Sequence, residues 1–104
     1  MVIIETSVFT RLIRELIDDD NYQELQISLV QNPDIGDLIP GSGGLRKVRW
    51  KTTGKGKRGG IRIIYYWMKP DDQLWMLYAY NKTGQTDLSR DQLKTLRDIV
   101  ARWD

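Results

Sequence analysis

The apolar positions of this chain change period along its length, and each change marks an element. Met1-Val-Ile-Ile-Glu5 is a short run that suits a strand. Val8, Phe9, Leu12, Ile13, Leu16 and Ile17 then recur three and four apart, predicting a helix with one apolar face that Thr6 or Ser7 can cap. Asp18-Asp19-Asp20 opens a second helix with carboxylates at its positive end. Tyr22, Leu25 and Leu29 keep the helical period, and Asn32-Pro33 ends it. Residues 34–44 read as a glycine- and proline-rich connector. From Leu45 the period becomes two: Leu45, Lys47, Arg49 and Lys51 point one way, Arg46, Val48 and Trp50 the other. The β-forming run Ile61–Trp67, a turn at Pro70-Asp71-Asp72 and the run Gln73–Tyr80 complete three strands joined in sequence, an antiparallel meander. Ser89-Arg-Asp-Gln92 is a capping box for a last helix, with Leu93, Leu96, Val100 and Trp103 on one side.

The expected architecture is α+β: an N-terminal helical hairpin and a C-terminal helix on a sheet of about four strands, in one domain over residues 1–104. The pattern leaves open where the first strand joins. No stretch approaches the roughly 18 apolar residues that span a bilayer, and the first residues lack the basic start of a signal peptide. A cytoplasmic protein without a membrane partner is expected.

Composition then narrows the chemistry. The chain has no cysteine and no histidine, which excludes disulfides, thiolate catalysis, cysteine-based zinc sites and any imidazole acid or base. Catalysis must use carboxylates, lysine, arginine, tyrosine or a bound metal. The net charge of +2 averages unequal regions: residues 1–45 hold two basic and eight acidic side chains, 46–69 nine and none, and 70–104 five and six. A positive segment without acids is the footprint of a polyanion site.

Neither glycine-rich loop fits a nucleotide fingerprint, since each leads into a strand rather than a helix. The cations suit RNA better. Arg46, Lys47, Arg49 and Lys51 on one strand, Lys55, Lys57 and Arg58 in the loop, and Arg62 on the next strand converge on one end of a hairpin. Tyr65, Tyr66, Tyr78 and Tyr80 are candidates for stacking bases. The bland alternative is a solvated basic hairpin. Arg62 is the sharpest residue, because a guanidinium inside an apolar strand is costly unless it pairs, for instance with Asp87, or opens into a cleft.

Gly43-Gly-Leu-Arg-Lys-Val-Arg49, Gly54-Lys-Gly-Lys-Arg-Gly-Gly-Ile-Arg-Ile-Ile-Tyr-Tyr66, Tyr80-Asn-Lys82 and Asp87-Leu88 together resemble the RelE superfamily, most closely its HigB-type branch. The resemblance implies a toxin of a type II toxin–antitoxin system that enters the ribosomal A site, cuts mRNA and so inhibits translation. It implies a cognate antitoxin, HigA-like and DNA-binding, and no cofactor. Phosphate-serving roles fall on Lys47, Arg49 and Arg62. The sequence departs from well-studied members after the last strand, where it offers Lys82 and Thr83 and no tyrosine beyond Tyr80.

RNA carries its own nucleophile, the 2′-hydroxyl, so the protein must align it, stabilise charge on the phosphate and move two protons. The expected catalytic set is Lys47, Arg49, Lys57, Arg62, Tyr80 and Lys82. Arg46, Lys51, Lys55, Arg58 and Tyr66 are expected to bind RNA, and no metal is needed. Crowding by cations is expected to lower the pKa of the lysines and of Tyr80. A ParE-like gyrase inhibitor and a non-catalytic RNA- or ribosome-binding module are the alternatives.

Overall fold

The structure, a computed structural model, describes residues 1–51, 60–81 and 87–103. Its elements run β1 (Val2–Glu5), α1 (Ser7–Leu16), α2 (Asp19–Gln31), β2 (Asp37–Leu38), β3 (Leu45–Trp50), β4 (Ile61–Met68), β5 (Gln73–Asn81) and α3 (Arg90–Arg102). The caps explain the helix boundaries. The Thr6 hydroxyl accepts from Phe9 N at 3.0 Å and donates to the Leu77 carbonyl at 3.1 Å, which ties the start of α1 to β5. Ile17 closes α1 in an extended conformation, and Asp18 at once caps α2, accepting from Asn21 N at 2.8 Å. Two residues therefore separate the helices of the hairpin. On α3 the Ser89–Gln92 capping box forms in both directions.

The sheet has five strands, in the order β1-β5-β4-β3-β2. β3, β4 and β5 form the expected antiparallel meander, and β1 lies parallel to β5, with Val2 opposite Gln73 and Glu5 opposite Met76. The fifth strand corrects the expectation of about four. β2 is only Asp37–Leu38, both exposed, so no alternation marks it. Partners elsewhere hold it: Arg46 Nη1 donates to the Gly36 carbonyl at 2.8 Å, and Gly36 N donates to the Tyr65 hydroxyl at 2.9 Å. Gly36 is required there, since a Cβ would stand 2.8 Å from the Tyr65 ring.

The two faces of the sheet bury different helices. The α1–α2 hairpin packs Phe9, Ile13, Leu25 and Leu29 on Val48, Ile61, Ile63, Tyr65, Leu74 and Met76. α3 packs Leu96 on Leu45, Ile64, Trp75 and Leu77, with Trp103 stacked on Trp75 at 4.3 Å. Two expectations fail on these faces. Val8 is exposed, because it sits about 100° around the helix from Phe9, beside the buried stripe rather than in it. Tyr65 cannot stack a base: it is fully buried on the hairpin face and donates to the Pro33 carbonyl at 2.8 Å.

One irregularity sits close to the candidate residues. The register passes from Ile64–Tyr78 to Tyr65–Met76, so Leu77 is an extra residue in β5. Such a bulge re-aims the side chains beyond it. No helix among the described residues is long and apolar enough to cross a membrane.

Candidate active site

Cross-strand register assembles the site. Arg49 lies opposite Arg62, and Arg62 opposite Tyr80, so three strands contribute one residue each to a row. Adjacent strands stand about 4.8 Å apart, which places the row within reach of a single phosphate. Lys47, two residues before Arg49, shares its face and stands in the next row with Ile64 and Tyr78. This is the face that α3 covers, and the row lies at the margin of that cover.

The row is electrostatically unusual. Like charges directly opposite one another repel, yet Arg49 and Arg62 are so placed. Arg62 is 9% exposed, and its Nη1 has no hydrogen-bond partner among the described residues. Asp87, the structural partner considered for Arg62, pairs instead with Lys47, at 3.3 Å. The hydroxyl of Tyr80 is also buried without a partner. A buried guanidinium nitrogen and a buried phenol hydroxyl, each without a hydrogen-bond partner among the described residues, can serve as a preorganised donor pair for an incoming anion.

Protonation follows from burial and charge. Burial pushes the Tyr80 hydroxyl above its ordinary range, the negative charge of Asp87 adds to this, and Arg62 opposes it. The expectation that crowding by cations lowers Tyr80 is therefore overturned, because lost hydration outweighs the nearby positive charge. Tyr80 stays protonated at neutral pH and can act as a donor. Asp87 is held below the usual carboxylate range, chiefly by the hydrogen bond from Leu88 N and also by Lys47.

The other candidate residues are dispersed. Lys51 follows β3 and is exposed. Arg46 lies on the opposite face of β3, its guanidinium bonded to the Asp34 and Gly36 carbonyls. Tyr66 shares the face of Arg62 but is four residues along β4, packed against Trp75 at 5.4 Å. Lys55, Lys57, Arg58 and Lys82 lie outside the described residues. Two residues outside the expected catalytic set border it: Asp87, put forward as a partner of Arg62 but paired with Lys47, and Tyr78, a stacking candidate whose ring lies 5.9 Å from that of Tyr80. The strand alternation carried Tyr78, but nothing local signals that Asp87 reaches across 40 residues to Lys47.

Clefts flank the row. One of about 290 Å³ has Glu15, Tyr80 and Asn81 in its wall. A more apolar groove of about 320 Å³ lies between α1, β5 and α3, and touches the site only through Tyr78.

Comparison with known proteins gives a consistent result. A family model described as the RelE toxin of the RelE / RelB toxin–antitoxin system matches residues 1–104. Among solved structures, the chain is similar to a double arginine-to-alanine mutant of Escherichia coli toxin RelE in the free state, at 10% identity and a TM-score of 0.62. That match covers 99% of this chain and 97% of the other. It is also similar to a chain of the intact E. coli RelBE toxin–antitoxin complex, at 10% identity and a TM-score of 0.59, over 77% of this chain and 94% of that one. The same RelE mutant bound to an antitoxin RelB peptide matches with a TM-score of 0.59 and 10% identity, over 86% and 95%.

Proposed function

This chain belongs to the RelE toxin family, and from that premise we propose that it is a ribosome-dependent mRNA endonuclease, in the HigB-type branch of the family. The observation that carries the reading is the Arg49–Arg62–Tyr80 row, with its buried and unpartnered donors. Arg62 and Arg49 grip the non-bridging oxygens of the scissile phosphate, where planar guanidinium groups bind two oxygens at once. The neighbouring 2′-hydroxyl attacks the phosphorus, forming a 2′,3′-cyclic phosphate and expelling the 5′-oxygen of the next nucleotide. Tyr80, held protonated, gives its proton to that leaving oxygen. The proton of the 2′-hydroxyl goes to a lysine that enters the step neutral, for which Lys57 and Lys82 are the candidates, since Lys47 is held in an ion pair with Asp87.

Lys47 also adds positive charge beside the phosphate. Lys51, Lys55, Arg58 and Tyr66 contribute to RNA binding outside the row, while Arg46, on the opposite face, holds the connector. The chemistry requires no metal, since the cations of the row stabilise the charge a metal would. Inhibition of translation follows from the loss of mRNA, in the cytoplasm where ribosomes work.

The test is primer extension on one mRNA, translated and naked, with purified protein. Cuts are expected during translation, with naked mRNA left largely intact. Equal cutting of both removes the ribosome from the proposal, and no cutting of either removes the nuclease.

A further inference from the structure

The C-terminal third of the chain is close to neutral by count, with five basic and six acidic residues in 70–104. In three dimensions three of the cations line up. Arg90, Lys94 and Arg97 stand four and three apart on α3, so they share one flank of the helix, and all three are exposed. Arg97 Nη1 donates to the Gly41 carbonyl at 2.8 Å, which turns this flank toward the loop that enters β3. The other flank, with Gln92, Thr95 and Ile99, closes the apolar groove against α1.

The acids of α3 form no ion pair with the stripe. The ion pairs among the described residues are Met1–Asp72 and Lys47–Asp87, so Asp91 and Asp98 pair with none of the three cations. The stripe begins close in sequence to the site, for Asp87, which holds Lys47, stands three residues before Arg90. From Arg90 to Arg97 the helix rises about 10 Å, enough for more than one phosphate.

We infer that Arg90, Lys94 and Arg97 form a phosphate track that carries the substrate RNA strand onward from the Arg49–Arg62–Tyr80 row. This rests on the reading of that row as an RNA site. Long, exposed side chains, of which Arg97 alone holds a directed bond among the described residues, suit phosphates, which fix the path of a strand without reading its sequence. The track therefore sets affinity and the length of RNA engaged, and leaves base preference to residues at the row.

Non-cleavable 2′-O-methyl RNAs of about four and about ten nucleotides, at matched sequence, test this by fluorescence anisotropy across a salt series. The ten-mer should bind more tightly than the four-mer, with a steeper dependence on salt. Replacing Arg90, Lys94 and Arg97 with glutamine should lower the ten-mer slope by about 2, at roughly 0.7 per lost contact, and leave the four-mer unchanged. Since Arg97 also bonds to Gly41, Arg90→Gln/Lys94→Gln is measured beside the triple variant and should lower the slope by about 1.4. An unchanged ten-mer slope in both variants overturns the track, as does a wild type that gains nothing from length. A four-mer indifferent to Arg62→Ala overturns the reading of the row instead. Retained RNA binding with lost binding of an acidic antitoxin segment assigns the stripe to the protein partner and also overturns the track.

Discussion

Arg62 and Tyr80 are buried with unmet donors, and this determines how substitutions there should behave. An unsatisfied buried donor costs stability, whereas removing it relieves that cost. Arg62→Ala also removes a like charge opposite Arg49. The protein should therefore keep or slightly raise its melting temperature while losing on the order of 3 kcal/mol of transition-state stabilisation, as for loss of an oxyanion donor. Calorimetry beside single-turnover cleavage on ribosomes makes the comparison, and a variant that unfolds would show that Arg62 is structural. Tyr80→Phe keeps the ring packing and deletes only the hydroxyl. It should cost on the order of a hundredfold in cleavage and nothing in stability, the low end expected for loss of a proton donor. Because burial raises the pKa of Tyr80, the wild type should show no falling limb from this group below about pH 10. A falling limb near neutrality that disappears in Tyr80→Phe would remove burial as the dominant influence.

The connector and β2 show how one face of a strand can be structural while the other is chemical. Arg46 and Lys47 are adjacent and both cationic, but Arg46 bonds backbone carbonyls of residues 34 and 36 while Lys47 faces the row. Arg46→Ala should cost about 1–2 kcal/mol of stability in urea unfolding, and Tyr65→Phe about 1–3, by leaving Gly36 N buried without its acceptor. Lys47→Ala should cost well under 1 kcal/mol, since its pair with Asp87 is solvent-exposed. If Arg46→Ala unfolds no more easily than Lys47→Ala, the connector is held by something else. The same contrast shows what was legible beforehand. Period-two alternation separated Lys47 and Arg49 from Arg46, and the 3.6-residue period found all three helices with their caps. β2 was invisible because two exposed residues carry no period, and it is specified by Tyr65 and Arg46, distant in sequence. The row itself was half legible: Arg62 stood out as a charge in an apolar strand, but pairing it with Arg49 and Tyr80 required the register. The Leu77 bulge that adjusts that register leaves no mark in a strand of mostly apolar residues.

At the scale of the whole molecule, the sheet divides two kinds of stability. Its hairpin face holds Tyr65 and, through Glu5, Tyr22; the α3 face holds Tyr80. All three phenols are raised by burial before any other cause. A group whose folded pKa lies above its unfolded value favours the folded state fully below the unfolded value, here about 10, and loses that contribution as pH rises beyond it. Stability should therefore hold level from pH 8 to about 10 and fall above it. In an ultraviolet titration three of the five tyrosines should lag until the protein unfolds. Five phenolates appearing together at pH 10 in folded protein would contradict this. The family also carries a partner to the proposal: co-expression with the neighbouring gene should yield a HigA-like, DNA-binding antitoxin in a complex that loosens with salt, and recovery of the toxin alone would count against it. Trp103 makes such binding observable without a label. It caps the C-terminal end of α3 and stacks on Trp75 of the sheet at 4.3 Å, with the rings within 17° of parallel. Two indoles held this way couple their electronic transitions, giving circular dichroism that lasts only while the helix rests on the strands. The protein thus carries its own optical gauge of whether α3 is seated on the sheet, and any partner that lifts the helix extinguishes that signal.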